Sequence, residues 1–310
     1  MTVRPLDIVF MGNPDFAVPS LERLAGSHHN ISAVVTGRDK RRGRRGKPEP
    51  SPVKSKALDL SLRVIESDDV RTEAFAAQIN QLQPDLLVVV AFKLLPPNVL
   101  AIPSKGSLNL HASLLPKYRG AAPIHRALIN GERETGCTVF LLDEGMDTGA
   151  ILGLQKTAVD FLETTGDVYD RLKVMGAGLL LRTIDEIAEG KHRPQQQSDK
   201  SASKAPKISV EEAEIDFNRD GFAVHNLIRG MSPFPGAWTT CDGKKLKITR
   251  SEPAPEIRLQ PGQAELISGE AFAGCGNGSV KLTEVRPEGK KVMSGADFLR
   301  GAGGSAILGR

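Results

Sequence analysis

Leu86-Leu87-Val88-Val89-Val90-Ala91 is a continuous apolar run between Pro84 and Lys93. A strand with one wet face would alternate apolar and polar residues. A run apolar at every position fits a parallel strand covered on both faces. Earlier in the chain, Ile8-Val9-Phe10-Met11 runs into Gly12-Asn13-Pro14, and residues 31–35 and 63–65 form two further short apolar runs. Helices are predicted over 16–24, 54–62 and 72–82, the last with Phe75, Ile79 and Leu82 at i, i+4, i+7. Later in the chain, strands are predicted over 107–110, 137–142 and 151–156, and a helix over 122–130. A long helix over 167–189 has Thr165 as its expected cap and Gly190 as its stop. Strands alternating with helices predict an α/β fold with a doubly wound, mostly parallel sheet. No Gly-x-Gly-x-x-Gly follows the first strand, so the dinucleotide fingerprint is missing.

The texture changes after Gly190. Residues 191–207 are polar and lack apolar periodicity, which reads as an extended linker. Beyond it come a helix over 222–228, a hairpin around Asp242-Gly243 with a type I′ signal, and short strands over 264–267 and 280–285. Short strands separated by Gly and Pro predict a small barrel. The expected domains are therefore 1–190 and 208–310, joined by 191–207.

The chain has 310 residues and a net charge of +4. That average hides one loop. Residues 38–47 contain Arg38, Lys40, Arg41, Arg42, Arg44, Arg45 and Lys47 against the single acid Asp39. Such a run is a solvated surface segment or a phosphate-binding one. Cys137, Cys241 and Cys275 are widely spaced and odd in number, with no Cys-x-x-Cys, so neither a zinc knuckle nor a disulfide framework is supported and a reducing compartment is the natural setting. No secretory leader and no membrane-length apolar run is visible, so a cytoplasmic protein is expected. His28-His29 reads as a solvated turn, and Cys137 as a small buried hydrophobe.

The chemistry-bearing stretch opens with Ser107-Leu108-Asn109-Leu110-His111-Ala112-Ser113-Leu114-Leu115-Pro116 and closes with Asp143-Glu144-Gly145-Met146-Asp147-Thr148-Gly149. Asn109 and His111, two apart on a strand, share a face. An amide NH₂ stabilises an oxyanion, and an imidazole moves protons near neutral pH. A carboxylate from a second loop, Asp147, can orient the ring. The set needs no metal and no covalent nucleophile. It suits attack of an amine on a carbonyl carbon. The structural alternative is that these are strand-end polar groups satisfying the backbone. Ser113 could be a nucleophile with His111 as base, although no Gly-x-Ser-x-Gly elbow surrounds it.

Asn109-x-His111, Ser113-Leu114-Leu115-Pro116 and Asp143-x-Gly145-x-Asp147-Thr148-Gly149 together resemble the folate-dependent formyltransferases. Tyr118-Arg119-Gly120-Ala121-Ala122-Pro123-Ile124 and Gly12-Asn13-Pro14-Asp15-Phe16-Ala17 narrow the likeness to members whose acceptor is methionine esterified to initiator tRNA. The resemblance implies a Rossmann-like first domain and a C-terminal OB-like β-barrel that binds tRNA. It implies 10-formyltetrahydrofolate as formyl donor, initiator methionyl-tRNA as partner, no metal, and a monomer. It also implies that Asn109 polarises the formyl oxygen, while His111 and Asp147 manage the proton. Ser113, Leu114, Leu115 and Pro116 would line the folate site, with Phe92, Leu94, Leu95 and Asp143 near the pterin. The arginine-rich loop would contact tRNA through Arg38, Lys40, Arg41, Arg42, Arg44, Arg45 and Lys47. Ala112 stands where the resemblance leads one to expect glycine. Formyltransferases acting on small amines, of the glycinamide ribonucleotide type, share the Asn, His and Asp set but resemble only the first domain. A non-catalytic RNA-binding relative would have no need of all three side chains.

Overall fold

The computed structural model describes residues 4–41 and 47–309. Two compact units are present, and neither is continuous in sequence. One comprises residues 1–120, 136–157 and 170–204; the other comprises 121–135, 158–169 and 205–310. The contiguous division expected at 190 and 207 differs from these units, because two earlier segments group with the C-terminal residues.

The first unit is built on β1 (Asp7–Gly12), β2 (Asn30–Thr36), a two-residue ladder of β3 (Lys40–Arg41) and β4 (Pro48–Glu49), β5 (Val64–Glu66), β6 (Leu86–Val90), β7 (Ser107–His111), β8 (Glu134–Leu141) and β9 (Ile151–Ala158). Seven of these form one sheet in the order β5-β2-β1-β6-β7-β8-β9. The pairings from β5 to β7 are parallel, and β7 pairs with β8 antiparallel. The doubly wound, mostly parallel sheet is thus present. β6 is buried at every position, as its unbroken apolar run requires. One face packs Val9, Met11, Ala33, Val35, Leu87 and Val89 against Phe75, Ile79 and Val99. Ile8, Phe10, Val34, Leu86 and Val88 of the other face are equally buried.

The helices up to residue 190 are α1 (Val18–Ala25), α2 (Pro52–Asp59), α3 (Glu73–Asn80), α4 (Pro97–Leu100), α5 (Pro123–Ile129), which belongs to the second unit, and α6 (Thr165–Ala188). Ser51 caps α2 and Thr72 caps α3 through their side-chain oxygens. The cap of α6 is Thr164 and not Thr165. Its hydroxyl accepts from Asp167 N at 3.3 Å, and Asp167 Oδ2 accepts from Thr164 N at 2.9 Å, a reciprocal capping pair. Chain order reverses at the β1–β6 boundary. Ligands of open α/β sheets lie beyond the strand carboxyl ends at such a switch point.

The His28-His29 turn is only half solvated. His29 is buried, its Nδ1 accepts from Leu6 N at 3.2 Å, and its Nε2 lies 3.1 Å from Asp185 Oδ1. Desolvation holds its pKa below the usual histidine value.

The second unit contains α7 (Gly221–Met231), β10 (Ala237–Cys241), β11 (Lys244–Ala254), β12 (Gln263–Ile267), β13 (Glu270–Gly274), β14 (Ser279–Pro287), β15 (Met293–Ser294), α8 (Gly295–Gly301) and β16 (Ser305–Ile307). The sheet runs β10-β11-β14-β13-β12-β16. A bridge between Cys241 and Leu308, with Gly309 N donating to Thr240 O at 2.8 Å, joins its first and last strands. The sheet therefore curls into the expected small barrel. Asp242 and Gly243 have φ of 50° and 68°, both positive, as a type I′ hairpin turn demands. Val224, Leu227, Ile228 and Met231 of α7 share a core with Ile248, Val280 and Val285 of the barrel.

His225 of α7 sits in that interior. Its Nε2 donates to Phe161 O at 2.9 Å, and its Nδ1 accepts from Ser251 Oγ at 3.0 Å, so the ring is neutral and fully bonded. Burial, aided by Arg229 and Arg133, pushes its pKa down to about 4. The unfolded chain therefore binds a proton between about pH 6.5 and 4 that the folded chain refuses, and stability falls as pH drops through that window. The loss amounts to about 3 kcal/mol at ~1.4 kcal/mol per pH unit. In denaturant titrations of His225→Gln, the pH dependence between 6.5 and 4 should be visibly flatter than in the parent protein; equal slopes would show that this ring is not responsible.

Candidate active site

Asn109 and His111 project from the last residues of β7 to one face of the sheet. In the ladders Val89 is opposite Asn109 and Gly12 is opposite Val90, so three strand ends come level here. The turns that follow are tied together. Asn13 Oδ1 accepts from Gly37 N at 2.8 Å, and Asn13 O accepts from Val53 N at 3.3 Å. This is the structural work of the Gly12-Asn13-Pro14 motif: one short amide side chain gathers the loops after β1 and β2.

His111 is buried, and its Nε2 lies 2.8 Å from Tyr118 O. A carbonyl only accepts, so Nε2 carries the hydrogen. Nδ1 of the neutral ring then bears the lone pair. It faces Asp147 Oδ2 at 3.7 Å, too far for a direct hydrogen bond and close enough for an ion pair on protonation. Phe140, opposite Asn109 on β8, packs edge-on against the ring with centroids 6.5 Å apart. The half-buried side-chain amide of Asn109 has no hydrogen-bond partner among the described residues.

Asp147 is held from two sides. Its Oδ2 accepts from Gly120 N at 2.8 Å, and its own backbone is left-handed, with φ 56°. Gln197 Nε2 donates to Asp147 O at 2.9 Å and to Gly149 O at 2.8 Å. Gln197 Oε1 accepts in turn from Arg119 Nε and Nη2 at 3.1 and 2.9 Å. Ser203 supports the same strap. Its hydroxyl accepts from Tyr118 N at 2.9 Å, and its carbonyl accepts from Arg119 N at 2.8 Å. The stretch read as an extended linker is bonded to the site along residues 195–204. Sequence reasoning missed Gln197 and Ser203, and it quoted Tyr118-Arg119-Gly120 as a motif without assigning the Arg119 side chain or the backbone groups of Tyr118 and Gly120 a role. Nothing in a polar Gln195-Gln196-Gln197 run marks its third member.

The Ser113–Pro116 segment divides in two. Ser113 is buried, with its hydroxyl donating to Lys117 O at 2.7 Å, so it is no nucleophile. Ser113 O and Leu115 N both bond Thr138 Oγ1, at 2.7 and 3.1 Å, which locks the segment to β8. Leu114 and Pro116 keep partial exposure and can line a ligand. Of the four outlying residues, Leu95 is spent on the core and Phe92 packs beside it. Leu94 is 62 % exposed. Asp143 Oδ1 is occupied by Gly145 N and Thr148 Oγ1, at 3.0 and 2.7 Å, shaping the turn that carries Asp147. Cys137 is buried, and burial pushes its thiol up to about 12, which makes it inert.

The basic loop is described at its two ends. Arg38, Lys40, Arg41 and Lys47 are exposed, with Arg38 Nε 3.3 Å from Asp68 Oδ2. Asp39 is drawn off by Lys54 Nζ at 2.6 Å, and Lys54 also pairs with Glu66. Arg42, Arg44 and Arg45 lie outside the described residues.

Residues 6–184 match the family described as formyl transferase, and residues 207–303 match the formyl transferase C-terminal domain. The chain is 45 % identical over 301 residues to methionyl-tRNA formyltransferase of Chlorobium luteolum, covering 95 % of this chain and 96 % of that one. It is 43 % identical over 298 residues to the Pelotomaculum thermopropionicum enzyme of the same name, covering 95 % of each chain. Among solved structures it is similar to the sugar 3N-formyl transferase WlaRD, with TM-score 0.67, 20 % identity, and coverage of 93 % of this chain and 100 % of that one. HypX from Aquifex aeolicus in complex with tetrahydrofolic acid is similar at TM-score 0.63 and 18 % identity, over 96 % of this chain and 47 % of that longer chain.

Two changes test the clamp on Asp147. A Cβ on Gly149 would fall 1.7 Å from Leu141 O, so Gly149→Ala should lower the unfolding free energy by about 1–3 kcal/mol and depress Tm. Gln197→Leu removes four hydrogen bonds, so it should lower Tm modestly and cut kcat by roughly 10- to 100-fold through misplacement of the carboxylate. An unaffected kcat would remove Gln197 from the site.

Proposed function

The chain belongs to the formyl transferase family through both of its matched regions, and on that footing we propose that Asn109, His111 and Asp147 move a formyl group from 10-formyltetrahydrofolate to the α-amine of methionyl initiator tRNA. The chain is a one-carbon transferase that formylates methionyl-tRNA, the activity named for relatives that match it nearly end to end. The donor supplies a formyl carbon on a nitrogen that leaves once that nitrogen is protonated. The residues present fit it: an unpartnered amide, the half-buried side chains of Leu114 and Pro116, and a ring whose Nδ1 makes no hydrogen bond among the described residues.

The observation that carries the reading is the pairing of His111 Nδ1 with Asp147 Oδ2 across 3.7 Å, two residues from the free Asn109 amide. Asn109 donates to the formyl oxygen as negative charge develops there. His111 keeps its Nε2 hydrogen on Tyr118 O, so Nδ1 takes the proton released by the attacking amine. The resulting imidazolium is stabilised by Asp147, which Gly120 N keeps in place. Return of that proton to the departing nitrogen completes the transfer. Arg38, Lys40, Arg41, Arg42, Arg44, Arg45 and Lys47 bind tRNA phosphates in this reading, with Asp39 neutralised by Lys54 so that the loop stays cationic. A cytoplasmic monomer is the state we assign; three free, buried cysteines suit a reducing compartment.

Asn109→Ala and Asp147→Ala should each lower kcat by ~10²-fold or more, with smaller effects on KM. Single-turnover assays with methionyl-tRNA and with glycinamide ribonucleotide should show transfer to the first alone. Activity confined to the small amine would overturn the reading. Replacing Arg41 and Lys47 with Ala should weaken tRNA binding and flatten its salt dependence by about one unit of slope per cation, leaving the donor KM unchanged.

A further inference from the structure

Phe234 is the most exposed large apolar side chain among the described residues, at 78 %. Its backbone is nevertheless fixed. Phe234 O accepts from His125 Nε2 at 3.1 Å, Pro235 O accepts from Lys247 Nζ at 2.6 Å, and Gly236 N donates to Met231 O at 2.8 Å. A ring held out into water on an anchored turn is different from an apolar residue at a fraying loop tip.

The surface beside this turn is cationic. Trp238, Lys247 and Arg286 are direct cross-strand partners on β10, β11 and β14, so they share one face of the barrel. Lys245, two residues before Lys247, lies on the same face, with its Nζ 3.7 Å from the centre of the Trp238 ring. Among the described residues no carboxylate lies within ion-pair distance of Lys245, Lys247 or Arg286. Glu288 accepts from Lys245 N at 3.3 Å, and Glu211 feels the Lys245 charge from a distance. Burial, with the like charges of Arg286 and Lys245, holds the Lys247 ammonium below its ordinary pKa, a strain that an added anion would relieve. The Trp238 face is taken by Lys245 and its indole N–H by Val210 O, which leaves Phe234 as the free aromatic face.

We propose that Phe234 stacks on an unpaired base of the tRNA substrate while Lys247, Arg286 and Lys245 neutralise the adjoining phosphates. A fixed aromatic ring beside unpaired cations is the arrangement that binds single-stranded nucleic acid. A single strand of RNA offers a planar base to the ring and phosphates to the cations, which have no carboxylate partner among the described residues. The inference rests on the tRNA reading above and extends it to named residues of the second unit.

Phe234→Ala and Phe234→Tyr, measured against the parent, test it. Phe234→Ala should raise the KM for methionyl-tRNA and the Kd for uncharged tRNA about tenfold. The donor KM and Tm should stay unchanged, and Phe234→Tyr should restore the parent values. Arg286→Ala should lower the salt slope of tRNA binding by about one. Unchanged tRNA affinity in Phe234→Ala overturns the proposal, as does a loss accompanied by lower Tm or not rescued by Tyr. Failure of the parent protein itself to formylate methionyl-tRNA would instead sink the functional reading beneath it.

Discussion

One hydrogen bond sets the tautomer of the buried histidine in the first unit. By giving its Nε2 hydrogen to the Tyr118 carbonyl, His111 is left with a single basic nitrogen, and that nitrogen faces Asp147. The carbonyl points correctly only because Tyr118 is left-handed, with φ 63°, and a non-glycine residue holds that conformation at a cost of about 1–3 kcal/mol. The Ser203 hydroxyl on Tyr118 N and the Ser203 carbonyl on Arg119 N offset that cost. Asp147 repeats the pattern: a left-handed carboxylate residue braced by Gly120 N and Gln197. Two strained turns, each secured by outside hydrogen bonds, thus fix a distance that neither strand alone determines.

Much of this was legible in the residues, for identifiable reasons. An apolar run with no polar interruption can only be buried on both faces, so β6 was clear. Asp242-Gly243 declared its turn because only such residues accept two positive φ values in succession. Asn109 and His111 were visible as a pair because period-two spacing puts them together whatever the rest of the fold does. The groups that escaped were those whose role depends on backbone direction: the Tyr118 carbonyl, the Gly120 amide, the Ser203 carbonyl. A side-chain alphabet does not encode where a carbonyl points. His29 escaped for a related reason, since only the assembled fold brings Asp185 to it from 156 residues away.

Two of the outlying residues assigned to the ligand also have structural roles. Leu95 serves the core, and Asp143 shapes a turn for Asp147. Both stand close in sequence to residues that could touch a ligand, and both have structural work that accounts for them. In the second unit, Arg229 spans segments distant in sequence in the same manner. It is buried, and its Nη1 reaches toward Asp160 O at 3.3 Å, so that residues 158–169 are held to α7.

The strap formed by residues 195–204 has a consequence for biosynthesis. Asn109, His111 and Asp147, the three side chains proposed to react, have all been polymerised by residue 147, yet hydrogen bonds that brace Tyr118 and Asp147 arrive about fifty residues later, with Gln197 and Ser203. A nascent chain that stops at Gly190 would hold every strand of the first sheet but lack the braces on Tyr118 and Asp147. Competence would therefore emerge abruptly on the ribosome, once the polar strand beyond α6 has cleared the exit tunnel and folded back.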